Sequence, residues 1–126
     1  MDITPLIPGD RQVIDSYGPG RFLVSGEQHA GSVIVFSDRT VAWPVASFAE
    51  ISLGGLDAVI GAETPVDVLI IGCGARMQPV PADLRTALRG QGIGCDTMDT
   101  GAACRTYNVL LSEGRRVAAA LIPLPG

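Results

Sequence analysis

The segment Thr100-Gly101-Ala102-Ala103-Cys104-Arg105-Thr106-Tyr107-Asn108 sets a thiol beside a guanidinium, a hydroxyl, a phenol and an amide. A cysteine in such company is the residue type of covalent catalysis. The nucleophile, however, is the thiolate, which needs a base or a positive environment to form at neutral pH. The sole histidine, His29, falls in a hairpin region with no local pattern that directs it toward Cys104. On a helix turning about 100° per residue, Ala103, Tyr107, Leu110 and Leu111 share one face, with Cys104 at its margin and Arg105 nearly opposite. This predicts a half-buried structural thiol and a core tyrosine. Any function is then confined to the first turn. There, the backbone N–H groups of Gly101 and Ala102, with Arg105 close by, form an anion site if Asp99 or Thr100 caps the helix.

A second stretch, Ile70-Ile71-Gly72-Cys73-Gly74-Ala75-Arg76-Met77, reads as a strand followed by G-x-G, with Asp96 and Asp99 further along. That is the opening of a dinucleotide-binding fingerprint. Met77 stands where the third glycine is needed, and Gln78 to Pro81 lengthen the loop, so a pyrophosphate loses its close approach to a helix start. The plainer use of Gly72 and Gly74 is to let the chain leave a strand tightly against a close neighbour. No cofactor is expected. One histidine and the scattered Cys73, Cys95 and Cys104 match no zinc spacing, and their odd number leaves one unpaired in any disulfide scheme. The chain has no lysine, which excludes Schiff-base chemistry and a P-loop. Nine arginines against 13 acidic residues give a net charge of −4, a field that repels nucleic acid and anionic lipid.

The elements that must position these residues follow from pattern. The 126 residues make one domain, 1–126, with short terminal tails. From Gln12 to Val45, beta-rich runs separated by turns predict a meander of hairpins. Ser47 and Glu50 have the form of a capping box before a short helical segment, and Leu53, Leu56 and Ile60 follow at helical spacing. The continuous apolar run Val66 to Gly72 reads as a strand covered on both faces, at the centre of a sheet. Pro81, Asp83 and the stripe Leu84, Ala87, Leu88 predict a helix stopped by Gly90 and Gly92. Strand, helix and strand then follow at Ile93–Met98, in the opening segment, and at Arg116–Ile122. Such alternation predicts an α/β layer with mostly parallel central strands. The amino-terminal stretch Met1 to Gln12 has neither a signal-peptide nor a transit-peptide pattern. No run approaches the roughly 20 apolar residues of a transmembrane helix, so a cytoplasmic protein is expected.

The run Asp67-Val68-Leu69-Ile70-Ile71-Gly72-Cys73-Gly74 and the segment from Pro81 to Pro123 also resemble a known family. Its specific part is the order G-x-G, helix, Gly-Ile, strand, then Thr-Gly-Ala-Ala-x-Arg-Thr-Tyr-Asn. This resembles domain-of-unknown-function family 498, the Mth-type domain, over about residues 14–123. That family includes mitochondrial complex I (NADH dehydrogenase) assembly factor 3 and the adipogenesis-associated Mth-type domain protein. The resemblance implies a three-layer domain: a mixed central sheet flanked by helices, with an added N-terminal β-hairpin layer and a last strand antiparallel to the others. Carried over by position, the family motif falls on Gly72, Gly74, Thr100, Ala103, Thr106, Tyr107 and Asn108, and requires no cysteine at 104. It further implies a bacterial, non-enzymatic binding or assembly protein whose partner is a protein of membrane-complex biogenesis. The alternative is a small-molecule or weak-anion site, that of an unrecognised enzyme included, in a cleft between the Gly72–Gly74 turn and the Thr100–Gly101 helix start. The residues expected to line that cleft, for ligand or partner, are Gly72, Gly74, Arg76, Thr100, Gly101, Ala102, Arg105 and Asn108.

Overall fold

A computed structural model describes residues 11–125, so most of the amino-terminal stretch read above lies outside the described residues. In chain order the described elements are β1 (Ile14–Gly18), β2 (Arg21–Val24), β3 (Glu27–Ala30), β4 (Val33–Val35), β5 (Thr40–Ala42), α1 (Asp57–Ile60), β6 (Val68–Cys73), α2 (Ala82–Gly90), β7 (Gly94–Met98), α3 (Thr100–Ser112) and β8 (Val117–Ile122). Single 3-10 turns at Phe48–Glu50 and Gly54–Leu56 precede α1. The strands form an antiparallel three-stranded sheet, β1-β2-β3, and a mixed five-stranded sheet in the order β5-β4-β8-β6-β7. The fold is therefore α/β.

Strand β8, Val-Ala-Ala-Ala-Leu-Ile, is buried at every residue because both faces of the large sheet are covered. Ala118, Ala120 and Ile122 join one core with Leu84 and Leu88 of α2 and Val59 of α1. Val117, Ala119 and Leu121 join the other with Ala103, Cys104 and Tyr107 of α3 and with Ile14, Phe22 and Val24 of the small sheet. The three alanines keep the central strand thin, so the layers on both sides approach closely. Helices α2 and α3 fall on opposite faces for a topological reason. The step from β6 to β7 moves toward one edge, and the step from β7 to β8 moves back across β6. Right-handed crossovers then place the two connections on opposite sides.

Five features differ from expectation. The meander is not continuous. It divides after β3, and β4 and β5 join the large sheet, because Val33, Ile34 and Val35 are apolar on both faces and pair with Leu121, Ala120 and Ala119 of β8. Strand β3, Glu-Gln-His-Ala, carried no apolar alternation and exists as the outer partner of β2. The middle of the sheet is β8, with β6 beside it. Strand β8 is also parallel to β6 and antiparallel only to β4, so the last strand does not oppose the others. The capping box is partial: the Glu50 carboxylate accepts from the Ala46 N–H at 3.2 Å and the Ser47 hydroxyl at 3.1 Å, but no side chain caps the turn from Ser47.

Gly72 shows how tightly the layers meet. A Cβ there would lie 3.0 Å from Leu121 Cδ2, 3.0 Å from Thr100 Oγ1 and 3.1 Å from Thr100 Cα. Gly72→Ala should destabilise by about 1–3 kcal/mol, the range of an overpacked core. The exposed Gly90→Ala, where an added Cβ meets nothing within 4 Å, should be neutral or gain up to about 1 kcal/mol of helix propensity. Urea unfolding of the two variants checks the contrast.

Candidate functional site

Adjacent strands whose following connections leave toward opposite faces open a crevice at their carboxyl ends, the customary ligand position in open α/β sheets. Here that crevice lies beyond β6 and β7, where the Gly72–Gly74 turn meets the start of α3. Thr100 fills it. Its hydroxyl accepts from the Gly74 N–H at 2.8 Å and donates to the Ile122 carbonyl, while its own N–H donates to the Gly74 carbonyl at 2.9 Å. Gly74, at φ +91, can present both backbone groups to Thr100 because it has no Cβ. The ends of β6 and β8 are thus tied through one side chain on the chain leaving β7.

The first turn of α3 is closed as well. Asp99 is the cap, its Oδ1 accepting from the Ala102 N–H at 3.0 Å, so a carboxylate of the chain already occupies the positive helix end. The Tyr17 hydroxyl lies over Gly101: a Cβ at that position would come within 2.5 Å of it. Arg105 Nη1 donates to the same hydroxyl at 3.3 Å. The structure therefore brings together Gly72, Gly74, Thr100 and Gly101, with Ala102 and Arg105 just beyond. Arg76 is exposed on the loop after Gly74. Tyr17, which covers the helix start, carried no signal in the sequence beyond strand-like patterning.

Asn108 lies about 12 Å further along the helix axis at the usual rise per residue, and it faces β1. Its Oδ1 accepts from the Ile14 N–H at 3.1 Å and its Nδ2 donates to the Ile14 carbonyl at 2.8 Å. The amide thus imitates a strand neighbour. The adjacent Tyr107, fully buried as its wheel position required, places its hydroxyl 2.9 Å from the Gln12 carbonyl and 3.0 Å from that of Phe36. Cys104 is fully buried rather than half-buried. The wheel assumed one covered face, whereas α3 lies between the large sheet and the small one.

Burial governs the thiols. It pushes Cys104 up to about 12, against a weak opposing pull from Arg105, and Cys95 up to about 11, against that of Arg85. Cys73 is also raised by burial. All three are free, protonated at neutral pH and poor nucleophiles. Among the described residues no group of histidine, cysteine and carboxylate side chains could hold a metal ion. No described helix is long and apolar enough to cross a membrane. Open surface lies elsewhere. A groove of 420 Å³ runs between Ile51–Leu53 and the Pro81, Leu84 and Ala87 side of α2. Leu53 at its rim is 40% exposed, and Met77, on the loop leading toward α2, is 59% exposed. Leu53 shares a helical spacing with Leu56 and Ile60, and only its exposure marks it as surface.

Comparison with known proteins places this geometry. A family described as "Protein of unknown function (DUF498/DUF598)" matches residues 14–122. The chain is 42% identical over 113 residues to an uncharacterized protein of Rhodobacter capsulatus, covering 90% of this chain and 86% of that one. It is 38% identical over 113 residues to NADH dehydrogenase (ubiquinone) 1 alpha subcomplex assembly factor 3 of Danio rerio. That match takes 90% of this chain but only 65% of the zebrafish protein, so the chain spans less than two thirds of that relative. Among solved structures, a Bordetella pertussis protein described as a Mth938-like domain superposes with a TM-score of 0.84 at 26% identity, covering 99% of this chain and 94% of that one.

Two measurements test the assignments within α3. Asn108→Ala leaves both backbone groups of Ile14 unpaired and should cost about 1–3 kcal/mol, whereas Arg105→Ala, at an exposed position, should cost less than about 1 kcal/mol in denaturant melts. The second concerns pH. The folded Cys104 value, about 12, lies above its ordinary 9.0, so its contribution is intact below pH 9 and is lost as pH rises toward 12. Cys95 and the buried phenol of Tyr107 act in the same direction. Stability should therefore fall through the alkaline range, and Cys104→Ala should fold and blunt that fall.

Proposed function

The chain belongs to the DUF498/DUF598 family, and on that footing we propose that it is a non-enzymatic, cytosolic protein-binding domain serving as an assembly factor for a membrane-bound respiratory complex of the NADH dehydrogenase type. The observation that carries this reading is the relative named as an assembly factor, 38% identical across 90% of this chain. The chemistry of the molecule agrees with it. The crevice where an α/β domain usually holds a ligand is occupied by Thr100 and roofed by Tyr17, and the buried thiols are held protonated. Large apolar side chains are instead exposed at Leu53 and Met77, and an open groove with Leu53 at its rim suits a protein surface better than a small ligand.

The competing reading, an anion or small molecule between the Gly72–Gly74 turn and the Thr100–Gly101 helix start, has to displace the Asp99 carboxylate from the Ala102 N–H and the Thr100 hydroxyl from Gly74. Both are bonds that the fold already makes, so binding energy would first have to replace them.

Deletion of the gene in the source organism, followed by native electrophoresis of its membranes with an NADH-dehydrogenase activity stain, tests the proposal. Assembled complex should fall and partial assemblies should accumulate, with recovery on complementation. Leu53→Asp/Ala87→Asp, a double variant on the open groove, should fold but fail to restore assembly. A deletion strain with undiminished complex would remove the assembly reading, and rescue by the double variant would remove the groove from it.

A further inference from the structure

We propose that the outer edge of β7 is a docking edge for an extended acidic segment of a partner protein, which adds as a sixth strand and is held by Arg85 and Arg89 of α2. Strand β7 ends the large sheet, with β6 on one side and no strand on the other among the described residues. In a parallel pair, alternate residues turn their backbone N–H and C=O toward the neighbour. The Gly94 N–H donates to the Asp67 carbonyl at 2.9 Å, so Gly94, Asp96 and Met98 address β6. Cys95 and Thr97 therefore turn their amides and carbonyls outward, two residues apart, as one incoming strand requires.

The side chains around this edge are sorted by face. Cys95 packs in the core shared with Leu84 and Leu88 of α2, so the exposed Asp96 projects on the opposite face. Arg85 and Arg89, one helical turn apart and both exposed, line a cavity of 210 Å³ together with Gly94, Cys95 and Asp96. Neither guanidinium has an ion pair or a hydrogen bond among the described residues, where the one ion pair is Arg39 with Asp38. The spacings match. Four residues of helix advance about 6 Å and two residues of strand about 6.6 Å, so carboxylates at alternate positions of an added strand meet successive guanidinium groups. The side chains between them face Asp96 and are neutral or basic. The net charge of −4 does not prevent this, because at physiological salt charges beyond about 8 Å are largely screened and the local pair dominates. A guanidinium also accepts a carboxylate in two-point geometry.

This edge is distinct from the groove at Leu53 and Ala87, so its failure and the failure of the assembly reading are separable. The test is an amide NMR titration of the whole chain in physiological salt. One capped probe peptide has the sequence Glu-Thr-Glu-Thr-Glu and the other Lys-Thr-Lys-Thr-Lys. The acidic peptide should bind saturably and slow hydrogen exchange at the Cys95 and Thr97 amides, leaving those of Gly94 and Asp96, already directed at β6, little changed. Arg85→Glu/Arg89→Glu should weaken the acidic peptide by about tenfold or more and favour the basic one, and Arg85→Gln/Arg89→Gln should give an intermediate loss. The proposal is overturned if exchange at Cys95 and Thr97 does not slow, if the basic peptide binds the unaltered chain equally well, or if charge reversal in a folded variant changes nothing.

Discussion

The hydroxyl of Thr100 is the point on which the domain closes. It accepts from Gly74 and donates to Ile122, using both of its capacities at the place where three parallel strands end. An oxygen bonded in this way fixes the separation of β6 and β8 and the position at which α3 begins. It works only because Gly72 has no side chain to compete for the same space. The topology prepares a ligand crevice, and the sequence fills it with its own atoms.

From that anchor α3 runs between two sheets, and its buried polar groups hold the smaller sheet in place. Tyr107 reaches the carbonyls of Gln12 and Phe36, and Asn108 pairs with both backbone groups of Ile14. None of the buried side-chain nitrogen and oxygen atoms that are described lacks a partner. In an apolar layer each such bond specifies register, since a misplaced strand would leave the amide or phenol unsatisfied. The two sheets differ at their margins. The exposed edge of β1 is blocked at Ile14 by the Asn108 side chain, whereas β7 keeps its outward backbone groups and has arginines alongside. Proteins ordinarily block or charge such edges against indiscriminate pairing, and an edge with charges of one sign on one face is selective rather than merely unprotected.

The same structure explains where protein-level function can reside. Its thiols are sealed, and its helix terminus is neutralised by Asp99. Its large apolar side chains reach solvent at Leu53, Met77 and Val109. On the proposed assembly reading, binding must be followed by release, which favours open grooves and short edges over deep pockets.

Local pattern determined a great deal here. The apolar run of β6, the Leu84–Leu88 stripe of α2, a stop near Gly90 and Gly92, the inward face of Tyr107 and a cap at Asp99 or Thr100 all depend on neighbours within a few residues, where period and propensity act directly. What local pattern could not decide were matters between distant segments. The β4–β5 hairpin left the meander for the large sheet because β8, more than eighty residues later, offered an apolar partner on both faces. Cys104 became wholly buried because a second sheet covered the back of α3, which a wheel with one buried face cannot represent. The closure of the Gly74 turn on Thr100 has the same origin. Gly74, Thr100 and Ile122, like Tyr17 and Arg105, are far apart in the chain, and their hydrogen bonds exist only once packing has brought them within 3.5 Å or less. The sequence determined which surfaces are apolar and where the chain turns. Whether those surfaces enclose a site or close upon themselves was decided by tertiary contact, because short-range bonds between remote residues leave no periodic trace in the sequence.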